Sequence, residues 1–214
     1  MKLLLTSGGL RNTELKKALL ELTGTPASKI KMAFIPSAMH VEVGDKSWVV
    51  DQLHYLKEMN IAQLDIVDIA AIAREVWLPR LQESNVIFVN GGNTTFLMKC
   101  FNESGLTKEI PSLLDSRVYV GVSAGSYIAT PDTRLNSDEN SETLDALGLV
   151  EFGIQAHLNS PQFPLAKDEK TIRKRLQNCP YTVHALDDQT GIKINGNTFE
   201  FVGTGEHITF NATI

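Results

Sequence analysis

Short apolar runs alternate with helical patterns along the first 130 residues. Five runs of four or five mostly apolar residues predict strands at 2–6, 31–35, 62–66, 86–89 and 118–122. Between them, apolar residues recur three and four positions apart, which predicts helices at 13–23, 47–60, 79–83, after 95 and at 107–115. Strands that alternate with helices are typical of a mostly parallel sheet covered on both faces. This part of the chain therefore predicts a three-layer α/β fold.

The pattern changes after residue 130. The segment 130–143 is polar and acidic, which predicts a long loop over the ligand crevice, and 167–178 predicts a charged helix. Short runs near the end predict antiparallel strands at 182–186, 191–194, 198–202 and 207–210, with a hairpin turn at Asn195-Gly196. The sequence shows neither an internal repeat nor a linker, so we expect one domain over residues 1–214.

Composition narrows the function classes. Of the 214 residues, 43% are hydrophobic and 21% charged, which are ordinary values for a globular domain with a sizeable core. The net charge of −5 argues against nucleic acid or an anionic membrane as the partner, and no apolar run is long enough to span a bilayer. The first apolar run is too short for a signal peptide. Cys100 and Cys179 have no metal-ligand spacing, so we expect a cytoplasmic protein with reduced thiols and no metal or cofactor.

The segment Gly121-Val122-Ser123-Ala124-Gly125 ends the predicted strand at 118–122. This Gly-x-Ser-x-Gly pattern is typical of a nucleophile elbow, a strand-to-helix turn so tight that the residues flanking the serine must be small. Such a turn exposes Ser123 Oγ and directs a backbone N–H toward a developing oxyanion. We therefore predict Ser123 as a nucleophile, with a solvated serine in a Gly-rich turn as the alternative.

A serine nucleophile needs a base, and histidine is the usual one at neutral pH. His157 is favoured because it follows an apolar segment and enters the irregular stretch Asn159-Ser160-Pro161. His40, in a loop after a strand, is the alternative, whereas the remaining histidines lie within predicted helices or strands. The acid that orients the imidazole stays open among Asp132, Asp138, Glu139, Glu142, Asp145, Asp187 and Asp188.

The segment Gly91-Gly92-Asn93-Thr94 follows the buried strand at 86–89. Because glycine lets the main chain approach closely, Gly91 or Gly92 suits an oxyanion donor alongside the N–H of Ala124. A phosphate-binding turn is the alternative, but the lysine of a P-loop and the three-glycine spacing of a dinucleotide site are both absent. Ligand crevices lie beyond the carboxyl ends of parallel strands. This turn should therefore converge on one site with Ser7-Gly8-Gly9, Pro36-Ser37-Ala38 and Ser123.

Three motifs together resemble the dipeptidase E (aspartyl dipeptidase) and cyanophycinase family of serine peptidases. They are the strand followed by Asn90-Gly91-Gly92-Asn93-Thr94, the elbow around Ser123, and His157, which lies 34 residues after that serine. The resemblance covers most of the chain and implies a class I glutamine amidotransferase-like α/β fold, in which serine replaces the catalytic cysteine. It also implies Ser123 as nucleophile, His157 as base, and Gly92 with Ala124 as oxyanion donors.

For the triad acid, the resemblance to dipeptidase E points to Asp138, with Glu139 and Glu142 open. We take Gly91, Asn93 and Thr94 as candidate substrate-binding residues. The resemblance makes Arg173 the candidate cation for an aspartate side chain of the substrate. The chain departs from the cyanophycinase-like pattern because no arginine follows His157 before Arg173. Processing of an arginine-aspartate polymer is therefore not expected.

We conclude from the sequence that this chain is a serine peptidase acting on short peptides, with Asp-X dipeptides as candidate substrates. There are two alternatives: an amidase or esterase for a non-peptide acyl compound, and a non-catalytic ligand-binding protein on the same fold. We expect a small peptide as the partner, neither nucleic acid nor membrane, and a monomer or homodimer.

Overall fold

The computed structural model describes residues 1–135 and 142–211. In these ranges the strands are β1 Lys2–Thr6, β2 Lys31–Ile35, β3 Gln63–Ile66, β4 Val86–Val89, β5 Val118–Val122, β6 Gly153–Gln155, β7 Val183–Leu186, β8 Thr190–Asn195, β9 Thr198–Gly203 and β10 His207–Phe210. The α-helices are α1 Thr13–Thr23, α2 Ser47–Glu58, α3 Arg74–Glu83, α4 Thr94–Ser104, α5 Leu106–Leu113, α6 Ala124–Tyr127 and α7 Glu169–Arg175. None of the helices in these ranges is long and apolar enough to cross a membrane.

The central sheet has seven strands in the order β3-β2-β4-β5-β1-β8-β9. The five strands from β3 to β1 are parallel, and β8 and β9 are added antiparallel. This arrangement confirms the predicted mostly parallel sheet. Because β1 pairs with β5 in the register Thr6 to Val122, the residues that follow these two strands lie side by side at the carboxyl edge.

Apolar side chains cover both faces of this sheet. In β4, Val86 and Phe88 enter the core on one face, while Ile87 and Val89 enter the core on the other. This burial on both faces explains why the run is apolar throughout. Helix α3 begins at Arg74, five residues before the predicted start, since its buried side chains Trp77, Leu78 and Leu81 extend the packing toward the N-terminus.

A second sheet has three strands in the order β10-β7-β6. Strand β10 is antiparallel to β7, as predicted, but β6 is parallel to β7, with Gln155 opposite Ala185. Strand β6 is absent from the predicted elements because it has only three residues, Gly153–Gln155, too few to show a period. Its parallel pairing puts the residues that follow β6 and β7 at one edge.

Candidate active site

Ser123 occupies a strained turn between β5 and α6. Its backbone has φ 47° and ψ −105°, a region that non-glycine residues rarely adopt. Gly125 lies so close to β4 that a Cβ there would be 2.1 Å from the Val89 carbonyl oxygen. The N–H of Ser123 donates to the Thr6 carbonyl at 3.0 Å, which ties the turn to β1. The turn thus has the tight geometry of the predicted elbow.

A chain of hydrogen bonds runs from Ser123 through His157 to Asp188. Ser123 Oγ lies 2.9 Å from His157 Nε2, and His157 Nδ1 lies 2.7 Å from Asp188 Oδ1. Because an ionised carboxylate only accepts, the neutral imidazole carries its proton on Nδ1 and leaves Nε2 free to accept from the serine. This is the arrangement that a general base requires.

Asp188 is held in its ionised form. Burial acts to raise the pKa of this carboxyl, but hydrogen bonds from His157 and Ser7, together with the charges of His157 and Arg11, outweigh burial and lower the pKa to about 2. The Arg11 guanidinium contributes from 3.9 Å, measured from its Nη1 to Asp188 Oδ2. A full negative charge therefore faces the imidazole at neutral pH.

Two backbone N–H groups beside Ser123 have no acceptor among the described residues, those of Gly92 and Ala124. Gly92 has φ 130°, and a Cβ there would be 2.3 Å from the Ala38 carbonyl oxygen, so this position requires glycine. The N–H of Asn93 donates to the same carbonyl at 2.9 Å and holds the loop in place. Backbone donors without an acceptor, close to a serine hydroxyl, suit the binding of an oxyanion.

The three residues of the hydrogen-bonded chain line a cavity of about 270 Å³. Its charged lining also includes Arg11 and Glu42. Phe163 lies flat against the imidazole of His157, with ring centroids 3.6 Å apart and planes 8° from parallel. The cavity is thus small and lined by side chains of both charges, and Phe163 covers one face of the His157 imidazole.

The structure does not bring every predicted residue into this cavity. Gly91 lines it, but Asn93 caps α4 by accepting from the Phe96 N–H at 2.9 Å, and Thr94 is buried as the first residue of that helix. Arg173 lies elsewhere, since it pairs with Glu169 at 2.6 Å and covers the Phe210 ring. The prediction that Arg173 faces the substrate is therefore corrected, because helix α7 turns that side chain toward β10.

The predicted acid, Asp138, lies outside the described residues, as does Glu139. Glu142 is described, and its carboxylate faces Lys99 at 3.5 Å. Among the described residues, the carboxylate that hydrogen-bonds to His157 Nδ1 is that of Asp188, one of the acids that spacing left open. The alternative base, His40, hydrogen-bonds to Asp68 at 2.7 Å.

Arg11 and Phe163 line the cavity but are not among the residues predicted from the sequence, and Ser7 is predicted only as part of the turn Ser7-Gly8-Gly9. Ser7 and Arg11 belong to the turn after β1, and only the position of Ser7-Gly8-Gly9 at a strand end indicated that turn. Phe163 carries no such signal, because nothing local distinguishes it from other loop aromatics. Within the described residues, no group of His, Cys, Asp and Glu side chains could hold a metal ion.

Comparisons with known proteins give a consistent result. Residues 3–202 match the sequence profile of Peptidase family S51. The chain is 30% identical over 148 residues to an uncharacterised peptidase of Listeria innocua, a match that covers 62% of this chain and 66% of that protein. It is 28% identical over 209 residues to peptidase E of Streptomyces coelicolor, covering 92% and 82%. A crystal structure of a candidate peptidase E from Listeria monocytogenes shares the fold, with a TM-score of 0.75 at 24% identity over 99% of this chain and 98% of that one.

Proposed function

This chain belongs to peptidase family S51, and we propose that it is a serine peptidase whose catalytic triad is Ser123, His157 and Asp188. The observation that carries this proposal is the unbroken hydrogen-bonded chain Ser123 Oγ–His157 Nε2 and His157 Nδ1–Asp188 Oδ1. The predicted nucleophile and base keep their roles, and Asp188 takes the role that the sequence resemblance assigned to Asp138.

In the acylation step, Ser123 Oγ attacks the carbonyl carbon of the scissile peptide bond. The Oγ proton passes to His157 Nε2 as the Oγ–C bond forms, and the carbonyl electron pair moves to oxygen. The N–H groups of Gly92 and Ala124 hold that oxyanion. The C–N bond then breaks, the amine nitrogen takes the proton from Nε2, and the acyl group stays on Ser123.

Deacylation repeats the same transfers with water. A water molecule gives one proton to His157 Nε2 and adds its hydroxyl to the acyl carbon. The C–Oγ bond breaks, and Oγ recovers the proton from Nε2. The ionised Asp188 stabilises the imidazolium in both steps and takes no proton.

The cavity supports a short peptide as substrate. A volume of about 270 Å³ is at or below the lower end of the usual range for small-molecule pockets, which leaves room for few residues. An Asp-X dipeptide carries a free ammonium and a side-chain carboxylate, and the cavity lining includes one acidic residue, Glu42, and one basic residue, Arg11, that can pair with them. For Asp-X dipeptides, Arg11 replaces Arg173 as the candidate partner of the substrate side-chain carboxylate.

Hydrolysis of Asp-Leu and Asn-Leu tests the proposal, because these dipeptides differ in charge and hardly in shape. Ser123→Ala should abolish turnover of both. If Arg11 binds the side-chain carboxylate, the preference for Asp-Leu in kcat/KM should be about 10- to 100-fold and should approach unity in Arg11→Gln. Arg11 also faces Asp188, so its replacement can disturb the triad. Such an effect lowers kcat/KM for both substrates equally and cancels in their ratio, so we compare the ratio of the two kcat/KM values within each variant.

Arg173→Gln is the matched control and should keep the wild-type ratio. A loss of preference in Arg173→Gln but not in Arg11→Gln would reject the role of Arg11. Equal losses on both substrates in Arg11→Gln would reject Asp-X selection by this residue and leave peptidase activity standing. Turnover that survives Ser123→Ala would reject the mechanism itself.

We also place the enzyme in the cytoplasm, as a monomer or homodimer. The location is supported by Cys100 and Cys179, which are buried and unpaired, as expected in a reducing compartment. Light scattering on purified protein measures the oligomeric state, and a trimer or larger assembly would contradict this assignment.

A further inference from the structure

Ser7 lies at the junction between the two sheets. It directly follows β1 in the central sheet and is fully buried, and its N–H faces the Thr190 carbonyl at 3.3 Å. Its side chain points to the residues that follow β6 and β7 in the second sheet. A buried hydroxyl in such a place needs partners, and here both partners belong to the proposed triad.

The Ser7 hydroxyl makes two hydrogen bonds. It accepts from the backbone N–H of His157 at 2.8 Å and donates to Asp188 Oδ1 at 2.8 Å. A hydroxyl has one proton and two lone pairs, so both bonds form at once in a single orientation. Ser7 thus connects the main chain of the base to the side chain of the acid.

His157 needs such support because its backbone is strained. It has φ 65°, a left-handed conformation that persists only where neighbouring contacts hold it. The N–H of His157 donates to Ser7 Oγ. The N–H of the next residue, Leu158, donates to the Leu186 carbonyl at 3.0 Å, and Phe163 packs against the imidazole ring of His157. The His157 carbonyl in turn accepts from the Ser160 N–H at 3.0 Å, so Ser7 holds the donor group of this backbone and Ser160 its acceptor group.

Asp188 is held by the same hydroxyl. Its Oδ1 accepts from both Ser7 Oγ and His157 Nδ1, while Oδ2 faces Arg11. Among the residues that the structure describes, Glu42 lines the same cavity, and Tyr127 lies nearby and is kept neutral by burial, which raises its pKa to about 12. Without Ser7, the carboxylate would lose the donor that fixes its rotation and withdraws electron density from Oδ1.

We propose that Ser7 is a positioning residue, which holds the backbone of His157 and the carboxylate of Asp188 in the mutual orientation that the base requires. This inference rests on the proposed triad. Ser7 touches no reacting atom in the proposed reaction and acts through these two neighbours.

Ser7→Ala tests the proposal through two readouts that a purely structural role would not move. We expect kcat to fall about 10- to 100-fold with KM within about twofold of wild type, because substrate contacts are unchanged. We also expect the acidic limb of the kcat/KM profile to move to higher pH by roughly half a unit. The reason is that Asp188, deprived of one donor, stabilises the imidazolium more strongly.

Ser84→Ala is the matched control, since Ser84 is also a buried serine with a 2.8 Å hydrogen bond, here to the Leu81 carbonyl, remote from the cavity. It should lower stability and leave both readouts unchanged. A Ser7→Ala enzyme with wild-type kcat and an unmoved acidic limb would overturn the proposal, as would equal effects of Ser84→Ala. If Ser7→Ala does not fold, the nearly isosteric Ser7→Cys decides by the same two readouts.

A third measurement separates this proposal from the triad on which it rests. The proton between His157 Nδ1 and Asp188 Oδ1 gives a downfield NMR resonance that requires no turnover. It should shift in Ser7→Ala and stay in place in Ser84→Ala. Turnover that survives Ser123→Ala rejects the triad, whereas an unshifted resonance in Ser7→Ala rejects only the role of Ser7.

Discussion

Asp188→Asn should lower kcat about 10³-fold without unfolding the protein. When His157 takes the serine proton, the imidazolium faces the Asp188 carboxylate across 2.7 Å between Nδ1 and Oδ1. Charge centres about 4 Å apart attract by about 4 kcal/mol at an effective dielectric constant of about 20, and about 1.4 kcal/mol corresponds to a factor of ten in rate. Asparagine keeps an oxygen that can accept from Ser7 and His157 but removes the charge, so the expected loss is that of the charge alone.

The assay is dipeptide hydrolysis near neutral pH, where a carboxyl whose pKa is about 2 is ionised in the wild type. Circular dichroism and urea midpoints establish that each variant is folded. Asp138→Asn is the matched comparison, because it makes the same change at the acid that the sequence resemblance indicates, and it should stay within about threefold of wild type. An Asp188→Asn enzyme within about tenfold of wild type, beside an Asp138→Asn enzyme reduced about 10³-fold, would refute the reasoning.

Two further predictions concern the oxyanion loop and the response to acid. Gly92→Ala should lower kcat by about 10² to 10³, because the new Cβ would collide with the Ala38 carbonyl and displace the Gly92 N–H. The control is Gly196→Ala, which is also at positive φ but has open space around it and should keep the wild-type kcat. Equal losses in the two variants would contradict the role of Gly92 as an oxyanion donor. Burial, aided by the charge of His207, lowers the pKa of His184 from 6.5 to about 4. Since protonation is disfavoured in the folded state, the stabilisation is complete above pH 6.5 and is lost as pH falls toward 4, by about 3 kcal/mol. Urea unfolding at pH 7 and pH 4 should show this loss in the wild type and a smaller one in His184→Gln, and equal losses would disprove it.

The proposed nucleophile can be predicted from the sequence because its signal is local. An elbow needs a strand, a serine, and small residues on either side, and all of these are contiguous around Ser123. The collision that a side chain at Gly125 would make with Val89 is the physical reason for the pattern. The proposed oxyanion loop at Gly92 can likewise be predicted from the sequence, because its glycines come after a strand that is apolar throughout.

The acid cannot be predicted in this way. Asp188 reaches His157 because β6 and β7 are parallel neighbours and both residues follow their strands by two positions. The pairing of these strands brings together segments 31 residues apart, and no spacing rule selects one carboxylate from the seven candidates. The same holds for Arg173, whose distance along the chain from His157 says nothing about the direction in which α7 presents it.

The sequence by itself thus determines most of the strand and helix pattern, apart from β6 and the start of α3, and it determines the α/β class, the elbow turn at Ser123 and the glycine loop. It also favours His157 as base. Only the tertiary structure decides which carboxylate hydrogen-bonds to His157, which cation lines the cavity, and that Ser7 joins His157 to Asp188. The physical reason is the sequence separation of the residues that set each feature. Turn geometry and periodicity depend on neighbours within a few residues, whereas the proposed triad is assembled by contacts between strands of two sheets. Such contacts depend on strand pairing, which is set by the packing of the whole chain.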